Sequence, residues 1–182
     1  TRPVDELDGR GGWHARARWS RDGVGLLQVA WTDKRADRAL HSGQYAWDTR
    51  FASVGAEAQA GAFRLVTEGA FGDTGMGSPG GSRVGVRFWS GYVLLGWAGL
   101  DLRLRLAARY DRFRNEDRDG QPEPNDESGE SVTVAGFFSP RPWLRLGLEV
   151  LDLRSDRPAA AFSGAPADAA ARRAQAELRL RF

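Results

Sequence analysis

The chain has 182 residues, no cysteine and a formal charge of +2, which excludes disulfides and Cys-based metal sites and gives no reason to expect a nucleic-acid partner. Charged residues make up 27% and mean hydropathy is −0.48, and no stretch reaches the roughly 20 apolar residues of a membrane helix. That excludes helical spans but not membrane strands, which show only every second residue to lipid.

Along the chain the dominant signal is a period of two, the spacing that sends alternate side chains to opposite sides of a strand. Trp13, Ala15, Ala17 and Trp19 oppose His14, Arg16 and Arg18, and a short turn is expected at Arg21-Asp22-Gly23. Leu27, Val29 and Trp31 then point one way, before a long loop from Asp33 to Tyr45. Ala52, Val54, Ala56 and Ala58 face away from Glu57 and Gln59, with a corner at Ala60-Gly61-Ala62. Phe63, Leu65, Gly69 and Phe71 oppose Arg64, Val66 and Glu68, followed by a loop from Gly72 to Ser82. Arg83 to Trp97 is the least regular run, and a bulge near Ser90 and Gly91 would change its parity midway.

After a short connection at Ala98 to Asp101, Leu102, Leu104, Leu106, Ala108 and Tyr110 oppose Arg103, Arg105, Ala107, Arg109 and Asp111. Arg114 to Gly129 is rich in Asp, Glu, Gly and Pro and reads as a solvated loop. Val132, Val134, Gly136 and Phe138 oppose Ser131, Thr133 and Ala135, and Ser139 to Pro142 forms a turn. Leu144, Leu146, Leu148 and Val150 oppose Arg145, Gly147 and Glu149, ahead of a long loop from Ser155 to Ala170. Finally Ala174, Ala176, Leu178, Leu180 and Phe182 alternate with Arg173, Gln175, Glu177, Arg179 and Arg181. The expectation is an all-β chain of about nine strands, a single β-barrel domain over residues 1–182 wired as an antiparallel up-and-down transmembrane barrel. Its short turns lie at one end and its long loops at the other.

Trp13, Trp19, Trp31, Phe63, Phe71, Tyr110 and Phe182 stand near strand ends on the apolar side, as membrane-interface girdle residues would. The opposite side carries Arg16, Arg18, Arg64, Arg103, Arg105, Arg109, Arg145, Arg173, Arg179 and Arg181, with Glu57, Glu68, Glu149 and Glu177 between them. These are the candidate pore-lining residues. They admit two readings, a field that draws in anions or Arg–Glu ladders that stiffen the wall. Lys34 is the only lysine, so nearly every cation is a guanidinium. A GC-rich genome or a need for fixed, anion-facing groups would each explain that.

Val54 to Phe71, Leu106 to Phe113, Ser131 to Ser139 and the ending Arg173 to Phe182 resemble the C-terminal region of Gram-negative porins, the phosphate-selective type in particular. The resemblance implies a passive outer-membrane channel for small anionic or polar solutes, often trimeric. It also implies that Phe182 looks like the C-terminal residue read by the barrel-insertion machinery. Phosphate-selective members are associated with lysine-rich constriction loops, and a chain with Lys34 alone departs from that pattern. No signal peptide stands at Thr1. An odd strand count beginning outside is expected of roughly half of a 16–18-stranded barrel. The alternative is a small outer-membrane barrel serving as a ligand-binding or adhesion anchor.

Enzymatic chemistry finds little support. His14 and His41 fit no HExxH-type spacing, and no cofactor is implied. His41, Ser42 and Asp48 lack a nucleophile elbow. Gly75, Gly77, Gly80 and Gly81 are followed by no Lys-Ser/Thr and form no phosphate cradle.

Overall fold

The computed structural model describes residues 8–37, 39–77, 83–120 and 125–181. Nine strands hydrogen-bond in one sheet in the order β1 (Trp13–Arg21), β2 (Gly25–Lys34), β5 (Asp48–Ala60), β6 (Phe63–Gly77), β7 (Arg83–Gly99), β8 (Leu104–Asp117), β9 (Glu127–Arg141), β10 (Leu144–Asp156) and β11 (Asp168–Leu180). A separate small hairpin, β3 (Leu40–His41) with β4 (Gln44–Tyr45), lies in the β2–β5 connection. Apart from that inserted hairpin, strands consecutive in the chain pair antiparallel, so the sheet is an up-and-down meander. It is open: β1 pairs only with β2, and β11 only with β10. Among the described residues no helix is long and apolar enough to cross a membrane.

The register sorts side chains into two faces. One face carries rows such as Val29–Val54–Gly69–Gly91 and Leu106–Gly136–Leu148–Ala176. The other carries Glu68–Tyr92–Asp111–Ser131 and Arg105–Phe137–Gly147–Glu177. On β2, β8 and most of β10 the apolar-row residues are exposed while the residues between them are more covered. A hollow of about 670 Å³ is bounded by side chains as far apart in the sheet as Gln59 on β5 and Arg179 on β11. The sheet therefore curls with its polar face concave and its apolar face convex.

Among the described residues no second layer covers the convex face. Among the described residues the only buried hydrophobic side chains are Ala46 and Ala135, and no large side chain is fully buried. Leu148 is 59% exposed, Phe71 57% and Val134 55%. A soluble sheet protein would bury these against a packed partner layer.

Three expectations are corrected. β7 contains no bulge: it stays in unbroken register with β6 and with β8 past Ser90 and Gly91. Its irregular look comes from Val84, Val86, Phe88 and Leu94, which place apolar groups on the concave side as well. The only register shift in the nine-strand sheet falls between Leu144 and Leu146, where β10 pairs with β9. Second, Gly75 and Gly77 belong to β6 rather than to a glycine-rich loop, and Gly80 and Gly81 lie outside the described residues. Third, several proposed loops are partly strand: β6 runs on to Gly77, β8 to Asp117, and β11 begins at Asp168.

Candidate site: the concave wall and the convex band

The convex face is banded. At the short-turn end Phe63 pairs directly with Trp97. Eight residues further along both strands Phe71 pairs with Trp89. These two levels are about 26 Å apart along a strand, and less in height once the strand tilts. Trp31 shares the register row of Phe71 and Trp89, Trp19 stands two residues before the short-turn end of β1, and Phe138 pairs with Leu104 at the short-turn end of β8. Trp13 begins β1 at its other end, and Tyr110 pairs with Val93 and Val132 in the row midway between the two levels. Between the levels the side chains are Leu, Val, Ala, Gly and Thr67. Trp31 and Tyr110 do not end their strands, which continue to Lys34 and Asp117. Trp89, Trp97 and Phe138 also belong to the aromatic levels. The sequence signal for the two tryptophans was their spacing of eight, hidden by the expected parity change. Phe182 lies outside the described residues.

Beyond the upper aromatic level the convex face changes abruptly to charge. Arg87 bonds Asp73 there at 3.2 Å; toward the β11 edge charge begins sooner, with Arg112 opposite Gly91 and 5.8 Å from the Trp89 ring centre, and Arg172 bonding Asp152 at 2.8 Å in the row of Tyr110 and Val132. Arg35, just past β2, forks onto the Asp33 carboxylate, whose hydrogen bond and negative charge raise the guanidinium pKa further.

The concave face gathers most of the arginines expected to line it. Arg16, Arg18, Arg64, Arg105, Arg109, Arg145, Arg173 and Arg179 all fall on it, as do Glu57, Glu68, Glu149 and Glu177. Arg181 follows β11, and its backbone N–H donates to the carbonyl of Trp143. Arg103 is the exception. It sits in the β7–β8 turn, where Leu100, Asp101 and Leu102 all take positive φ, and so it is not part of the wall. The turn geometry overrides the alternation that Leu102 and Arg103 suggested.

Pairing on this face is uneven. Arg64 bonds Glu57 at 2.8 Å, Arg145 bonds Glu177 at 2.6 Å, and Gln175 donates to Glu149 at 2.8 Å. Arg109 binds Asp111 at 2.5 Å and lies 4.0 Å from the centre of the Tyr92 ring, whose hydroxyl reaches Glu68 at 3.4 Å. Arg105, Arg179 and Arg181 make no ion pair among the described residues, and neither do Arg16 and Arg18. The surplus positive charge therefore gathers near the short turns, where Arg64, Arg105, Arg145, Arg179 and Arg181 line the same hollow.

Aromatic side chains meet glycines on this wall. Phe51 and Phe88 flank Gly72 across β5–β6–β7 with centroids 6.3 Å apart, and a Cβ on Gly72 would fall 2.2 Å from the Arg50 carbonyl oxygen. The Phe137 ring covers Gly147, 2.8 Å from where a Cβ would be, and the Phe113 ring covers Gly129. The sequence reading missed these concave-face rings.

His41 in the β2–β5 connection and Asp48 at the start of β5 each have a buried polar atom without a hydrogen-bond partner, and His41 stands 3.8 Å from Asp37. Ser42 sits in the turn between β3 and β4 with φ of 51°. No group of three or more metal-ligating side chains occurs among the described residues.

Searches against family descriptions, curated proteins and solved structures found no match for this chain.

Proposed function

We propose that this chain forms part or all of the wall of an outer-membrane β-barrel. In that reading the convex band faces lipid hydrocarbon and the concave wall lines a water-filled channel that favours small anions. The observation that carries the reading is the uncovered apolar band of the convex face, closed above and below by aromatic levels. Exposing so much contiguous leucine, valine and aromatic surface to water is strongly unfavourable, at roughly 25 cal/mol per Å². Hydrocarbon between two interfaces matches both the apolar stripe and its aromatic borders. The short turns would then lie on the periplasmic side and the longer loops outside.

Two features favour a conducting wall over a side-chain-filled anchor. The concave face carries more guanidinium than carboxylate toward one mouth. Two of its aromatic rings, Phe113 and Phe137, lie against Gly129 and Gly147. A fixed positive wall raises the local anion concentration and lowers the entry barrier for anions. The likeness to phosphate-selective porins agrees with this, but the single lysine argues for general anion preference rather than phosphate specificity.

Refolding the chain into lipid bilayers under a potassium chloride gradient tests the reading. A reversal potential of the anion-selective sign is expected, moving toward cation selectivity in the Arg105→Gln/Arg109→Gln double variant. A chain that stays soluble and monomeric without detergent sinks the membrane assignment. A potential unmoved by the double variant sinks the selectivity.

A further inference from the structure

We propose that the two free edges of the sheet join a second copy of this chain, β11 of each copy beside β1 of the other, and that this pairing completes the channel. The proposal rests on the reading of the convex band as lipid-facing, and adds to it a partner and a register.

The edges are where the sheet is unfinished. β1 and β11 each have one side of their backbone unpaired, and every residue of both strands is exposed. Neither strand holds a proline, a lysine or a bulge, devices that blunt a sheet edge against pairing. Hydrocarbon offers no partner to a free N–H or C=O, so an open edge does not persist at membrane depth.

Direction and register point to the occupant. Neighbouring strands of the sheet alternate in direction and nine is odd, so β1 and β11 run the same way. Two copies related by a twofold axis along the channel therefore meet head to tail at two identical parallel joints, and the ring closes. The apolar rows of the two edges are equally long, Trp13 to Trp19 and Ala174 to Leu180, and both run toward the short-turn end. Laying Trp13 of one copy beside Ala174 of the other carries the band across the joint and sets Trp19 beside Leu180. On the concave side the same register sets Arg16 beside Glu177. Arg145 uses only Oε1 of that carboxylate, at 2.6 Å, and Arg16 has no ion pair among the described residues. Each group is available to the other. Arg18 falls beside Arg179, a like-charge pair that is cheap only where both are wet and screened.

That last requirement favours a second copy over β1 closing onto β11 of the same chain. A barrel of about eight strands is just wide enough for side chains to fill. In so narrow a barrel Arg18, Arg105 and Arg179, none with an ion pair among the described residues, would be packed together away from water. Two nine-strand sheets enclose an aqueous lumen instead, as barrels of roughly 16–18 strands do.

The chain has no cysteine, so introduced thiols report on the joint alone. His14 and Gln175 fall side by side on the wet face in this register. His14→Cys chains and mass-tagged Gln175→Cys chains are refolded together in phosphatidylcholine vesicles and oxidised. Disulfides between tagged and untagged chains are expected. Replacing the first variant with Ala30→Cys, one strand in from the edge, should lower their yield about tenfold or more, because Cα atoms beyond about 7 Å are not bridged. Arg16→Gln in the His14→Cys chain should lower it by up to about fivefold, the worth of one cross-strand charge pair.

Absence of tagged–untagged disulfides in vesicle-inserted chains overturns the second copy. So does a chain carrying both thiols that forms only an internal disulfide, and so does an equal yield from Ala30→Cys, which would mean chance collision. Conductance keeps the two readings apart. Chains that conduct but cross-link only internally keep the lipid-facing band and lose the second copy, whereas chains that stay soluble and monomeric without detergent lose both.

Discussion

The two faces of the sheet solve opposite problems with the same alternating strands. On the convex face large apolar side chains stand out with nothing packed on them, and aromatic residues collect at two levels. On the concave face the Phe113 and Phe137 rings lie against glycines, and charged groups carry the lateral contacts. The contrast shows that residue type alone does not assign a solvent. Phe71 and Phe88 are both phenylalanines of the central strands, yet one stands on the convex band and the other is laid into the concave wall.

The largest expected break of this contrast is a charge at mid-height of the convex band. Val93→Arg should cost about 2–4 kcal/mol, as arginine does at the bilayer midplane of a barrel. Thr133→Arg, on the concave face, should cost little. Reversible urea titration in lipid vesicles compares the two, and equal costs would mean that both faces meet water.

A smaller effect is expected at Gly72 on the concave face. Gly72→Val drives a side chain into the Arg50 carbonyl and the Phe51 side chain, and overpacking of this kind costs roughly 1–3 kcal/mol. Phe88→Ala in the same background should not rescue it, because the nearest clash is with backbone. Denaturant midpoints of the single and double variants decide the point.

The concave ion pairs are worth less still. Glu57→Gln should lower stability by no more than about 1 kcal/mol, since its partner Arg64 is well exposed. The smallest difference concerns position. Arg103→Gln should leave ion selectivity unchanged, while Arg105→Gln shifts it toward cations. Single-channel reversal potentials check both, and an equal shift would return Arg103 to the wall.

The period of two made the nine-strand meander legible, because each hydrogen-bonded pair preserves the alternation of its neighbours. Strand ends were harder to read. Arg112, Arg114 and Glu116 continue the convex parity of β8, but a charged row above an apolar one looks like a loop when the sequence is read for hydrophobic alternation. β7 failed for the opposite reason: with apolar residues on both faces, its alternation is blurred although its register is regular. At the site, the arginines were legible from parity, but their partners were not. Which guanidinium meets a carboxylate depends on diagonal neighbours such as Arg145 and Glu177, and those follow from register rather than from spacing within one strand.

The charged extensions of β6, β7 and β8 beyond the upper aromatic level have a mechanical consequence. If the apolar band faces lipid as proposed, the ladder there continues outside the hydrocarbon, with Asp73 still opposite Arg87. On that reading the segments joining these strands leave from a hydrogen-bonded collar rather than from the lipid surface. A protease approaching from that side would meet pleated backbone with its amides already engaged, leaving only the crests of the collar to cut.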